Sequence, residues 1–259
     1  MGVKLAATYV EKPWGRTELP PTFVPMAGRR IGEIWFPAGP DAPLLVKYLF
    51  TNERLSVQVH PNDEQAKVRG LPRGKAECWY VLEAEPESTI GLGLRDSVTR
   101  NELRKAALDG SIVEAMDWRS VKAGDFFYVP PGTVHAIGAG ISLLEFQQNS
   151  DATYRLYDYG RSRELHIDDA VAVSSLTAYP ESLVGHVDEQ EDAVLANGPP
   201  FTLIHSRSDH LQDRRRWILP LEGSVRSNGE QAGAGECLLV DAGEELEIDD
   251  ARLLIGAAR

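Results

Sequence analysis

The chain has 259 residues, 42% hydrophobic and 25% charged, a balance that suits a globular protein with one large or two smaller cores. Its formal net charge of −12 argues against a nucleic-acid partner, which would need a basic face, so any anion must be held by a few Lys or Arg gathered in one place. Two cysteines, Cys78 and Cys237, exclude a disulfide framework and a Cys-rich zinc site. The first apolar residues are soon interrupted by Glu11 and Lys12, and no apolar run approaches the ~18 residues of a membrane span. The expectation is a cytoplasmic protein without a membrane partner.

In chain order, Arg54–His60 alternates strictly and predicts a strand with Leu55, Val57 and Val59 on one face and Ser56, Gln58 and His60 on the other. Gln58 and His60 then point the same way and could share a metal ion, with Pro61 ending the strand beside the imidazole. A lone strand histidine is more often a hydrogen-bonded structural residue, so the pair needs company. Glu77–Glu83 predicts the next strand, with Lys75 two residues before Glu77 on the same side. A carboxylate next to Trp79 and Tyr80, if buried, needs a metal ion or a lysine as partner, because an unpaired buried charge is costly. If exposed, Glu77 is a plain surface residue.

Thr99–Leu108 predicts the clearest helix, with a Thr or Asn cap, an early Glu, one apolar stripe and Gly110 to end it. Asp125–Val129 predicts a strand running into Pro130-Pro131-Gly132, whose turn brings His135 back over the sheet. Ile141–Gln147 predicts another strand, and Asp168–Val173 a weaker helix. Many short strands with Gly and Pro turns indicate a β-sandwich or barrel.

The spacing from Gly124 through Pro130 and Gly132 to His135 resembles the second cupin motif, although Ala139 stands where that motif has Asn. The first cupin motif would have His at Gln58 and a Glu soon after His60. Glu64 lies there, but Glu77 is the residue we favour. One Gln, two His and one Glu form a nitrogen and oxygen donor set that suits a single divalent ion, zinc foremost, with manganese, iron or cobalt still open.

The departure from the first motif resembles the type I mannose-6-phosphate isomerases, in their compact bacterial form. The likeness runs from Pro13 to Leu176 and rests on Gln58-Val59-His60-Pro61, Gly74-Lys75-Ala76-Glu77 and Asn149-Ser150-Asp151 followed by Arg155, with Tyr157-Asp158-Tyr159 and Arg163–Ile167 beyond. It implies a mainly β cupin jelly-roll barrel with few short helices. It also implies that Gln58, His60, Glu77 and His135 hold zinc. Arg155 would act in catalysis with Lys75, and Glu145 and Asp151 would lie in the pocket for a sugar-phosphate substrate. The general base stays open among Glu145, Asp151, Lys75 and a metal-bound water. Rival readings are a non-catalytic sugar-phosphate-binding cupin and a cupin enzyme acting on another small molecule.

Two internal matches suggest a repeat. Gly124–Gly132 resembles Gly235–Gly243, and Trp79–Glu85 resembles Trp217–Gly223. We therefore expect a catalytic cupin over 1–178, an acidic linker over 179–199 and a degenerate cupin-like unit over 200–259. Leu246 falls where His135 would align, so the second unit is expected to be metal-free.

Overall fold

The computed structural model describes residues 2–24 and 26–259. Three antiparallel sheets make up the fold, in agreement with the mainly β cupin expectation. A five-stranded sheet runs in the order Tyr154–Tyr157, Val57–Val59, His135–Ile137, Thr89–Leu94, Met116–Ser120. Facing it is a seven-stranded sheet in the order Val184–His186, Asp125–Val129, Glu77–Ala84, Ile141–Gln148, Leu44–Phe50, Ile31–Phe36, Thr8–Arg16. Between them, Trp14, Leu49, Trp79, Val81, Ile90, Leu92 and Leu143 fill one end of a barrel. Beside this core, with Trp14 and Leu49 in its wall, opens a cavity lined mostly by polar side chains.

The period-two alternation of the seven-stranded sheet builds a second core. Trp79 and Val81 face the barrel, while Cys78 and Tyr80 on the same strand face away with Tyr48, Phe50 and Phe146. That outer face meets Phe201, Leu203, Trp217, Leu219 and Leu254 of the third sheet. Burying a Leu- or Phe-sized side chain contributes about 1.5–3 kcal/mol, so this shared layer is a major stabilising contact.

The third sheet runs Val3–Lys4, Leu238–Val240, Arg216–Ser227, Glu247–Ala258, Phe201–Ser206, Ala193–Asn197, with Glu230–Gly233 folded onto the long third strand. Its order repeats that of the seven-stranded sheet. Arg216–Ser227 lies between Leu238–Val240 and Glu247–Ala258, as Glu77–Ala84 lies between Asp125–Val129 and Ile141–Gln148. The glycines that bound the matched strands, Gly124 and Gly132 against Gly235 and Gly243, all adopt left-handed conformations with φ of 84–87° or 78°. Leu246, which aligns with His135, packs against the inner core of the third sheet.

Several local expectations need correction. Residues 179–199 are more than a loop, because Val184–His186 joins the barrel sheet and Ala193–Asn197 joins the third sheet. The reason is that Leu195 and Ala196 bury against the shared core, while the acidic stretch 188–192 remains exposed as expected. The N-terminal Val3–Lys4 also pairs within the third sheet rather than with the barrel. The predicted strand Arg54–His60 shrinks to Val57–Val59. Leu55 turns into the barrel core, whereas Val57 and Val59 pack on the opposite face, so strict alternation fails before residue 57.

The helix at Arg100–Asp109 has the anticipated Thr99 cap, reciprocated by Glu102, and ends at Gly110 with φ of 84°. With Ile167–Val173 it covers the outer face of the five-stranded sheet. Two further helices, Asp63–Val68 and Ile112–Ala115, are too short for hydrophobic periodicity to reveal. Among the described residues no helix is long and apolar enough to cross a membrane.

Candidate active site

His60, Glu77 and His135 come together, their potential ligand atoms all within 4.8 Å of one another. Each is about 1% exposed. They arrive from separate elements: His60 just past a short strand, Glu77 at the start of a long one, and His135 after the Pro-Gly turn. Gly132, with φ of 87°, permits that turn, and its N–H donates to His60 O at 2.8 Å, tying two of the three segments together.

The hydrogen bonds behind the imidazoles fix their chemistry. His60 Nδ1 lies 2.8 Å from Ala152 O and His135 Nδ1 lies 2.9 Å from Thr133 O. Carbonyl oxygens only accept, so both Nδ1 atoms carry the proton and both Nε2 atoms present lone pairs. His60 Nε2 is 3.2 Å from Glu77 Oε1, and His135 Nε2 is 3.7 Å from Glu77 Oε2. Burial, then the neighbouring Lys75, lowers His60, while burial, then His60, pushes His135 down to about 3. Both rings are therefore neutral at pH 7. Two inward lone pairs and a buried carboxylate form a donor set with the nitrogen and oxygen character of a divalent-metal site, and each ring is oriented by a carbonyl behind it.

Glu77 supplies a further sign of fit. Neither of its buried oxygens accepts a hydrogen bond of ordinary geometry, although Lys75 Nζ stands 2.6 Å from Oε1. Burial alone would raise this carboxyl, but the Lys75 ammonium beside it holds it well below the usual carboxylate range. Lys75 Nζ also lies 3.4 Å from His60 Nε2. The site thus holds a carboxylate anion beside two neutral donors, with one ammonium as its neighbour.

Gln58, the fourth expected ligand, is adjacent. Its backbone pairs with His135 on one side and Arg155 on the other, so the three form a single row across three strands. Its amide Nε2 lies 3.2 Å from His135 Nε2, and its Oε1 accepts from Ser56 Oγ at 3.3 Å. Rotating the amide by half a turn would present Oε1 to the cluster instead.

Above this row opens a cavity of about 470 Å³, within the usual range for a small-molecule site. Gln58, Lys75, Glu145, Asp151 and Arg155 all line it. Five cations, Lys12, Lys47, Lys75, Arg155 and Arg163, face three carboxylates, Glu33, Glu145 and Asp151. A strongly acidic chain has therefore gathered positive charge here. Arg155 Nε is buried without a hydrogen-bond partner, and burial, then nearby Arg163, lowers its pKa. Glu145 is buried, accepts from Trp79 Nε1 at 3.0 Å and faces Lys47 Nζ at 3.3 Å. Burial, then Glu77, raises its pKa. Asp151 is exposed at the cavity edge.

Sequence reasoning missed one wall of the cavity. Glu33 accepts from Trp35 Nε1 at 2.7 Å and pairs with Lys12 at 3.1 Å, and Lys47 Nζ lies 4.8 Å from the Trp35 ring centroid. A signal was present: Lys47 is the single charge in the wholly buried strand Leu44–Phe50.

No protein-family model matches the chain. Its sequence is similar to the mannose-6-phosphate isomerase ManA of Bacillus subtilis, at 45% identity over 161 residues, covering 60% of this chain and 51% of that protein. A probable mannose-6-phosphate isomerase of the same organism, GmuF, is 41% identical over 209 residues, covering 72% and 62%. The chain thus spans about half to three-fifths of the length of the curated relatives it matches. Over nearly the whole of both chains, 98% of each, it superposes on a crystal structure of the mannose 6-phosphate isomerase from Bacillus subtilis with a TM-score of 0.79 and 26% identity. A zinc-bound mannose 6-phosphate isomerase shares the fold with a TM-score of 0.75 at 15% identity.

Proposed function

We propose that this chain is a mannose-6-phosphate isomerase, interconverting mannose 6-phosphate and fructose 6-phosphate through an enediol, as its similarity to relatives of that name supports. The observation that carries this reading is that the buried His60–Glu77–His135 cluster touches Lys75 and Gln58, both of which line a cavity that concentrates cations in an acidic protein. His60, Glu77 and His135, joined by the Gln58 amide oxygen after rotation, would hold one divalent ion, zinc by donor type. Bound there, the ion would supply Lewis-acid polarisation of substrate oxygens.

The remaining chemistry belongs to side chains. Isomerisation shifts a proton between C1 and C2 and develops negative charge on an oxygen, so it needs a positioned base and fixed positive charge nearby. Arg155 and Lys75 are assigned the catalytic charge-stabilising roles. Arg155 can grip an oxyanion with two parallel N–H groups, and Lys75 offers a compact charge beside the cluster. Glu145 and Asp151 are assigned to the sugar hydroxyls, as acceptors on opposite sides of depth: Glu145 buried and Asp151 at the rim. The raised pKa of Glu145 also makes it a proton acceptor nearer neutral pH than an ordinary carboxylate.

We assign catalysis to residues 1–178 and a supporting role to 200–259, whose sheet repeats the barrel's order and shares its outer core. Two buried free thiols and a sugar-phosphate substrate favour a cytoplasmic setting. The test is a coupled assay on mannose 6-phosphate before and after dialysis against a chelator. Activity should vanish on metal removal and return with zinc or another divalent ion. A metal-replete, folded protein with no turnover on either sugar phosphate would sink the proposal.

A further inference from the structure

A second cavity, of about 460 Å³, lies on the far side of the strand that carries Glu77, where the barrel meets the third sheet. Tyr80 and Leu82 border it from the barrel, and His205, Leu221 and Arg252 from the third sheet. It is separate from the catalytic cavity and shares no lining residue with it.

Two of its lining residues, His205 and Arg252, each carry a buried nitrogen that lacks a partner. His205 is wholly buried and stacks on the Tyr80 ring at 5.6 Å, with an interplanar angle of 24°. Its Nδ1 lies 2.8 Å from Glu191 O, so Nδ1 carries the proton and Nε2 presents a lone pair, yet Nε2 accepts nothing. Burial lowers the pKa of this ring and keeps it neutral. Arg252 is 2% exposed. Its Nη1 donates to Asp192 Oδ1 at 2.8 Å and to Glu191 O at 3.2 Å, but Nε–H has no acceptor. Buried polar atoms are nearly always satisfied, so two orphans of opposite sense on residues lining one cavity call for a partner.

The two orphans specify the chemistry of that partner. Nε2 of His205 requires a donor and Nε of Arg252 requires an acceptor. A carboxylate or phosphate would satisfy only Arg252, whose charge Asp192 already balances, and would meet repulsion from Asp188, Glu189 and Glu222 around the cavity. An ammonium would satisfy only His205. A hydroxyl group both donates and accepts. We propose that this junction cavity binds a neutral polyhydroxylated small molecule, a free sugar or polyol, whose hydroxyls donate to His205 Nε2 and accept from Arg252 Nε. Because both nitrogens are buried, binding involves a small side-chain adjustment at the cavity wall. The inference is independent of the proposed catalytic activity, since none of its residues belongs to the catalytic cavity.

The test uses the full chain labelled with ¹⁵N-histidine and titrated with D-mannitol and, separately, with D-mannose. The His205 Nε2 resonance should shift saturably, as expected for a lone pair that gains a hydrogen bond, and an excess of fructose 6-phosphate should leave the shift intact. His205→Phe and the cavity-filling Leu221→Trp should each weaken polyol binding, measured calorimetrically, by at least tenfold while sugar-phosphate turnover stays unchanged. Two variants guard against misfolding of either one. An unmoved His205 signal up to 100-millimolar probe would mean that water alone satisfies the two nitrogens, and would overturn the inference. Binding that survives in Leu221→Trp would place it elsewhere and overturn it equally.

Discussion

Lys75 stands 2.6 Å from Glu77 Oε1, and both side chains are nearly inaccessible to solvent. Replacing it with Met keeps the length of the side chain and removes the charge. Without a metal ion, Glu77 would then be a buried carboxylate facing two neutral imidazoles, and removing one partner of such a pair costs about 3–5 kcal/mol. With an ion held by Glu77, the counter-charge is present from another source and the loss should fall to roughly 1–2 kcal/mol, the range of an ordinary lost hydrogen bond. By linkage, the difference of about 2 kcal/mol must reappear as metal affinity roughly 30-fold tighter in Lys75→Met. Urea unfolding of the metal-free and zinc-loaded forms, wild type and variant, measures all four corners of this cycle. Equal destabilisation of the two forms would show that Lys75 and the metal do not share Glu77, and would refute the reasoning.

Other perturbations follow from the same geometry. Arg155→Ala should lower kcat and kcat/KM together by roughly 10²-fold, with metal content unchanged, whereas a rise in KM alone in steady-state kinetics would make it a binding residue only. Asp158, 2% exposed, holds Arg163 through two 2.7 Å bonds and Arg161 through a third at 3.0 Å. Asp158→Asn should cost about 1.5–3 kcal/mol in denaturant unfolding and raise KM through misplaced Arg163, and unchanged values of both would show that this loop is not held by the pair. A chain ending at Ala178 would bare the face formed by Tyr48, Tyr80 and Phe146. It should aggregate on expression, and a soluble, active product would show that the third sheet is dispensable.

The mainly β fold was legible in the sequence, and the residues it singled out as site candidates lie close together in the structure. His135 was legible through the likeness of Gly124–His135 to the second cupin motif, and Glu77 through the resemblance to the isomerases, since the apolar strand around it left a metal, a lysine or an exposed position open. A buried charge needs a partner, and that rule applied to Lys47 and Glu33 would have found the missing wall, since each interrupts a buried strand and the two strands pair directly. What sequence could not show is long-range pairing. Nothing local to Val3–Lys4 indicates that it closes the edge of a sheet formed more than 200 residues later. Nor could alternation reveal that Leu55 turns into the barrel, because the irregular backbone before Val57 is set by the neighbouring strands. The repeat was legible through its glycines, which bound corresponding strands in the two sheets, whereas the tryptophan match is out of register: Trp79 pairs with Phe127 and faces the barrel, and Trp217 pairs with Leu239 and faces the shared layer.

Anomalous scattering from crystals of the zinc-loaded protein, recorded on both sides of the zinc absorption edge, tests the metal site most directly. The expected result is a single peak bounded by His60 Nε2, His135 Nε2, Glu77 and the Gln58 amide oxygen, with no peak in the third sheet. A peak elsewhere, or none between those four residues in protein that isomerises mannose 6-phosphate, would contradict the account.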